Sequence, residues 1–65
     1  MKIRIDLIQS GDIYDYYDVN NDDEALDVAS KLDKTLEKEE PYYAGCLIFE
    51  VKQDDKGDII QREIQ

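Results

Sequence analysis

The chain has 65 residues, of which 17 are acidic, 8 are basic and none is histidine, so its formal net charge is −9. A chain this short forms one domain over residues 1–65, which excludes a cleft between two lobes. Because it repels phosphate, we expect it to bind neither nucleic acid directly nor an anionic membrane surface. It has no apolar run long enough to span a bilayer. Its single cysteine cannot form an internal disulfide, and no signal-peptide pattern follows the start, so we expect a cytoplasmic protein.

Two strands are predicted in the first third of the chain. Residues 1–8 alternate between apolar and polar side chains, which is typical of a half-buried strand. A turn at residues 9–12 leads to a second strand at residues 13–19, which is rich in tyrosine and β-branched side chains. The face of this strand that we expect to point inward consists of Ile13, Tyr17 and Val19, together with the acidic Asp15.

A helix is predicted over residues 22–38. Asn21 is a suitable N-cap, and Glu24 stands at the third helical position, where it completes an arrangement resembling a capping box. Pro41 prevents the helix from continuing. Apolar residues recur at spacings of three and four and form one stripe on the helix. This stripe consists of Ala25, Val28, Ala29, Leu32 and Leu36.

Two further strands follow the helix. Residues 42–52 have the strongest strand pattern, and residues 53–57 predict a hairpin loop in which Gly57 adopts a positive φ. Residues 58–64 form the last predicted strand. In the third strand one face carries Leu47, Phe49 and Val51, and the other carries Cys46, Ile48, Glu50 and Lys52.

The predicted fold is therefore an α+β domain of order ββαββ, with a four-stranded sheet and one helix packed across one face. The alternative is a three-stranded βαββ fold in which residues 12–19 form an irregular loop. The element order resembles that of the small immunoglobulin-binding domains of bacterial surface proteins and of the wider β-grasp architecture. Since no motif residues are shared, this resemblance implies a fold and no binding function.

Side chains that could support catalysis or bind a metal are scarce. The chain has no histidine, and its hydroxyl groups have no activating base nearby in sequence. Asp18, Asn20 and Asp22 have the spacing of calcium ligands, but the pattern fails at Asp23, where glycine is needed, and lacks its final glutamate. Cys46 is expected to be a structural thiol. We therefore expect no enzyme, no cofactor and no metal.

The informative feature is the distribution of charge. Residues 5–30 contain eight acids and no lysine or arginine, so this span carries −8 of the net charge of −9. Three tyrosines are interleaved with the acids of the second strand. Residues two apart on a strand are separated by roughly 6.6 Å, close to the spacing of neighbouring phosphates. We expect a partner-binding surface made of Asp12, Tyr14, Asp15, Tyr16, Asp18, Asp22, Asp23 and Glu24.

These features predict a function in protein–protein contact. Carboxylates pair well with arginine, and tyrosine is a preferred anchor at interfaces, so the surface fits a basic nucleic-acid-binding protein. In size, charge and aromatic content the chain resembles the DNA-mimic inhibitors of phages and mobile elements, which block nucleases, restriction enzymes, CRISPR effectors or repair glycosylases. The alternative is a general interaction module or small subunit, including a homodimer that pairs through an exposed edge strand.

Overall fold

The structure, a computed structural model, describes all 65 residues. Its elements are β1 (Lys2–Leu7), β2 (Ile13–Asp18), α1 (Asp22–Glu39), β3 (Cys46–Gln53) and β4 (Ile59–Glu63). The strands form one sheet with the spatial order β2-β1-β3-β4, and every neighbouring pair is antiparallel. The predicted ββαββ fold is confirmed. The three-stranded alternative is wrong, because β2 is hydrogen-bonded to β1 along its length.

The connection through α1 determines which strands lie at the edges. Since β2 and β3 are both antiparallel to β1, they run in the same direction, with β1 between them. The chain thus forms a β-α-β crossover that is split by β1. This arrangement leaves β2 at one edge of the sheet and β4 at the other. No helix in the structure combines the length and apolar character that a membrane crossing requires.

The start of α1 has the predicted N-cap, but the carboxylate of Glu24 bonds to a residue one position earlier than predicted. The side chain of Asn21 accepts a hydrogen bond from the backbone N–H of Glu24 at 2.9 Å, as an N-cap should. The carboxylate of Glu24 reaches back one residue further than a capping box requires and accepts from the backbone N–H of Asn20 at 2.9 Å. At the other end, Glu40 donates its backbone N–H to the carbonyl of Leu36, and Pro41 follows.

The hydrophobic core lies between α1 and one face of the sheet. Its buried residues are Ile3, Ile5, Val19, Ala25, Ala29, Ile48 and Ile64. Val28 and Leu32 pack against this cluster and are partly buried, and Leu36 is buried further along the helix. The predicted apolar stripe of α1 is therefore its inner surface, because burying that stripe removes apolar area from water.

The side of the sheet away from α1, which we call the open face, carries the more apolar side of β3. Ile48 lies opposite the fully buried Ile5 and faces the helix, whereas Phe49 lies opposite Arg4. Because side chains alternate along a strand, Leu47 and Val51 share the open face with Phe49. Cys46 and Glu50 accordingly share the helix side with Ile48.

A bulge in β2 overturns one of the expected inward positions. Asp15 lies opposite Ile5, but Ile13 lies opposite the next residue, Asp6, so Tyr14 is an extra residue in the ladder. The bulge rotates Ile13 to the open face, where 51% of it is exposed. The prediction that Ile13 points inward is wrong. The same prediction is confirmed for Val19, which is buried, and for Tyr17, which is half-buried against the core.

The loop between β3 and β4 is built as predicted. Gly57 has a φ of 85° and donates its N–H to the carbonyl of Asp54 at 3.1 Å. The carboxylate of Asp54 accepts from the backbone N–H groups of Lys56 and Asp58, each at 2.9 Å. Such side-chain bonds stabilise a tight turn and hold β4 in register with β3.

Candidate interaction surface

The eight residues predicted to bind a partner do not form one continuous face. β2 is an edge strand, and all of its residues except Tyr17 are exposed. Tyr16 and Asp18 point to the open face, whereas Asp15 is on the side of α1 because it lies opposite Ile5. Asp12 is in the turn before β2, and the remaining acids are in the first turn of α1.

Two bases lie beside the tyrosine and the acid of the open face. Arg4 is opposite Tyr16 and Lys2 is opposite Asp18 in the β1–β2 ladder. The ammonium of Lys2 is 5.8 Å from the centroid of the Tyr16 ring, within the range of a cation–π contact. The span of residues 5–30, which carries −8, does not include these two bases, so the open face is less negative than that span. Aligning β1 with β2 across the predicted turn would have placed Lys2 and Arg4 beside Asp18 and Tyr16.

The centre of the open face is an ion pair. The guanidinium of Arg4 donates two hydrogen bonds to the carboxylate of Asp6, at 2.8 and 3.0 Å. It also lies 5.0 Å from the centroid of the Phe49 ring. Only 17% of either charged side chain is exposed, which is low for a sheet face that nothing covers. The open face is therefore mixed in charge, with its arginine already occupied.

Asp22 has a structural partner that is distant in the sequence and that no local pattern predicts. Its carboxylate accepts two hydrogen bonds from Arg62 in β4, at 2.9 and 3.0 Å. Arg62 also donates to Glu50, at 3.1 and 3.2 Å. The bond from Arg62 lowers the pKa of Asp22, and the two acids raise the pKa of Arg62. Asp22 thus joins the start of α1 to the far edge of the sheet.

Glu24 is also engaged within the chain. Its hydrogen bonds from the backbone and then the side chain of Asn20 lower its pKa. These bonds stabilise the entry to α1, where the helix dipole favours negative charge. By contrast, the side chains of Asp12, Asp18 and Asp23 form no hydrogen bond or salt bridge, and all three residues are exposed.

Asp15 closes part of the outer edge of β2. Met1 and Val19 exchange backbone hydrogen bonds. Because bonded residues alternate along an antiparallel ladder, the odd-numbered residues of β2 bond to β1 as far as the bulge. The backbone N–H of Tyr16 therefore points away from the sheet. The carboxylate of Asp15 accepts from that N–H at 2.8 Å. A strand added at this edge would find the N–H already used and the ladder interrupted by the bulge. Burial raises the pKa of the Tyr17 hydroxyl, and the negative charge of the nearby Asp15 raises it further.

The surface also has one groove, on the open face, with a volume of about 690 Å³. It is lined by Lys2, Arg4, Tyr16, Val51, Lys52, Gln53 and Ile59. Lys52 alternates to the helix side of β3, and Arg4 is paired with Asp6, so Lys2 is the one base of the groove that lies on the open face without a salt bridge. The groove lies directly beside the exposed tyrosine of β2.

A second group of titratable side chains joins the end of α1 to β3. The hydroxyl of Tyr43 donates to the carboxylate of Asp33 at 2.6 Å. Burial raises the pKa of Tyr43, and the bond to Asp33 and the nearby Cys46 raise it further. This contact anchors the connection after α1. Nowhere does the structure bring together three or more acidic or cysteine side chains in an arrangement that could hold a metal ion.

Comparison with family models, curated proteins and solved structures finds no match to this chain.

Proposed function

We propose that this chain is a non-catalytic protein that binds a basic partner through an acidic edge. We define the acidic edge as Asp12, Tyr14, Asp15, Tyr16 and Asp18 in and beside β2, together with Asp23 in the first turn of α1. The partner is a nucleic-acid-binding enzyme, and the acidic edge occupies its cationic groove. In its specific form the protein is an inhibitor of the kind that phages and mobile elements carry against restriction or CRISPR enzymes, acting in the cytoplasm.

The observation that carries this proposal is the set of exposed acids without internal partners. Asp12, Asp18 and Asp23 make no side-chain bond within the chain, so their charge is available to an arginine or lysine of another protein. Tyr14 and Tyr16 are 41% and 48% exposed on the same edge. Exposed tyrosine beside free carboxylates suits a surface that binds arginine-rich grooves.

Two of the residues expected to contact a partner have bonds within the chain. Asp22 bonds to Arg62, and Glu24 bonds to Asn20, so both acids hold α1 in place. Releasing either one to a partner would cost its internal bonds. Both carboxylate oxygens of each acid are bonded, so we leave Asp22 and Glu24 out of the acidic edge. Asp15 stays in it, because only one of its oxygens accepts a bond within the chain.

The partly closed backbone edge of β2 favours recognition by side chains. Because Asp15 accepts from Tyr16 and the bulge interrupts the ladder, a partner gains little from adding a strand here. Contacts between carboxylates and basic side chains remain. Such contacts accelerate association and weaken with salt.

The test is binding to a panel of enzymes with basic DNA-binding clefts: a restriction endonuclease, a CRISPR nuclease and a uracil-DNA glycosylase. We expect at least one to bind, to be displaced by duplex DNA, and to bind about tenfold more weakly when salt is raised several-fold. The triple substitution D12N/D18N/D23N should weaken that binding about tenfold or more.

The matched control is E37Q/E39Q/E40Q, which makes the same change in net charge. These three glutamates are exposed at the far end of α1, and their side chains have no partner within the chain. We expect this variant to bind nearly as well as the wild type. Equal loss in both variants would show that bulk charge, and not the acidic edge, determines binding. If no member of the panel binds, these enzyme classes are excluded as targets.

A further inference from the structure

The outer edge of β4 differs from that of β2 in being open. All five residues of β4 are exposed, and its ladder with β3 has no bulge. Asp54 donates its backbone N–H to the carbonyl of Asp58, and Ile64 donates to Ile48. Even-numbered residues of β4 therefore bond to β3, and the N–H and C=O groups of the odd-numbered residues point away from the sheet.

These outward groups have no partner within the chain. They belong to Ile59, Gln61 and Glu63, and no side chain caps them as Asp15 caps Tyr16. Ile59 and Ile60 are 61% and 44% exposed on the two sides of this strand. An open, regular edge with exposed isoleucines is a template for another β-strand.

We propose that β4 pairs antiparallel with β4 of a second copy of this chain, giving a symmetric dimer with a continuous eight-stranded sheet. A two-fold axis perpendicular to the sheet relates the two strands, so each presents the same residues to the other. The axis passes between Ile60 and its symmetry mate. Ile59 then lies opposite Gln61 of the second copy, and Asp58 lies opposite Arg62.

This register follows from which backbone groups point outward and from the side chains that it brings together. The outward groups of Ile59 and Gln61 meet their counterparts and form four backbone hydrogen bonds. Ile60 meets Ile60 at a pair without mutual hydrogen bonds, where side chains approach most closely. The pair formed by Asp58 and Arg62 is opposite in charge, and no like charges face one another.

Charge determines which of the two edges a second copy can use. Two chains of net charge −9 repel each other over most of their surfaces. The sequence of β4, IIQRE, has one base and one acid and is neutral. β4 is therefore the edge at which two copies approach with the least repulsion, whereas pairing through β2 would bring its aspartates together.

The interface is short, so the dimer is weak, with a dissociation constant on the order of 100 μM. Because the net charges repel, added salt should tighten the dimer. Salt has the opposite effect on binding through the acidic edge. The dimer and the proposed function are thus independent, and either can fail alone.

The first test is sedimentation equilibrium of the full chain from about 10 μM to about 1 mM, concentrations that bracket the expected constant. Gln61→Pro removes an outward N–H without removing a bond to β3, since proline is tolerated where the N–H faces solvent. We expect it to weaken the dimer about tenfold or more, and Gln61→Ala to change it less than about threefold. Circular dichroism checks that both variants fold.

The second test fixes the register by cysteine cross-linking in a C46S background, with oxidised glutathione as the oxidant. Ile60→Cys should form a disulfide-linked dimer quickly, because Cα atoms at such a pair are about 4.5 Å apart, within disulfide range. Ile59→Cys should form it at least about tenfold more slowly, because its symmetry mate is diagonal and beyond about 7 Å. Residue 59 is the more exposed of the two, so random collision would give the reverse order.

The proposal is overturned if the wild-type chain stays monomeric up to about 1 mM, even if a strand of another protein adds to this edge. It is also overturned if Gln61→Pro folds and dimerises as the wild type does. Faster cross-linking at residue 59 than at residue 60 would reject the register.

Discussion

β2 and β4 are the two edges of one sheet, but they offer different means of recognition. β2 is interrupted by a bulge, its outward Tyr16 N–H is occupied by Asp15, and its free charge is acidic. β4 is regular and neutral, and its outward backbone groups are unoccupied. An edge whose ladder is interrupted and partly occupied favours contact through side chains, whereas an open and regular edge can add a strand. Substitutions that act on one edge and spare the other sharpen this comparison.

The largest effect on stability is expected in β1, one of the two central strands of the sheet. Ile5 is fully buried between α1 and the sheet. Ile5→Ala should lower the free energy of unfolding by about 3 kcal/mol, from lost burial and the cavity that remains. Urea unfolding measures this value. Leu47→Ala, on the open face, is the control and should cost less than about 1 kcal/mol. Equal losses would mean that the core lies elsewhere.

The next effect concerns the capping residue after β2. Asn21→Ala removes the acceptor for the N–H of Glu24 and should cost about 1 kcal/mol of unfolding free energy. Asn21→Ser retains an acceptor and should stay close to the wild type. Thermal unfolding of the two variants compares them directly. A serine variant as unstable as the alanine variant would show that the cap is not the source of the loss.

The link between α1 and β4 should appear as a dependence of stability on pH. The pKa of Asp22 is lowered in the folded chain by Arg62. A lowered pKa contributes stability that is present above the ordinary value of 3.8 and is lost as pH falls through the folded value. Asp22→Asn should therefore be less stable than the wild type at pH 7, and the difference should shrink on acidification below about pH 4. Urea unfolding across this range measures it, and a difference that is constant with pH would contradict the assignment.

The smallest effect on stability is expected at the capped edge. Asp15→Ala removes the acceptor for the outward N–H of Tyr16 and should change unfolding free energy by less than about 0.5 kcal/mol. Hydrogen exchange at the Tyr16 amide should nevertheless become faster. Asp15→Asn keeps an acceptor oxygen and should leave exchange near the wild-type rate. Similar rates in all three proteins would indicate that Asp15 does not close the edge.

Local chemistry was enough to predict the elements of this fold. The helix and its stripe follow from apolar spacing, its start follows from Asn21, and the turn before β4 follows from Gly57. Each depends on residues within a few positions of one another, so no distant contact is needed to fix it. The alternation of apolar and polar residues likewise predicted β1. The concentration of acids in residues 5–30 is also a property of sequence alone.

Tertiary structure decided which of those acids remain free. Arg62 reaches Asp22 across 40 positions of sequence, and Lys2 and Arg4 meet Asp18 and Tyr16 through strand register. The bulge that turned Ile13 outward also depends on pairing with β1. The charge and the face that a residue contributes depend on which strands lie side by side and in which register, and both are contacts between distant parts of the chain. The sequence alone therefore determined the elements and the amount of acidity, and the packing determined where that acidity is available to a partner.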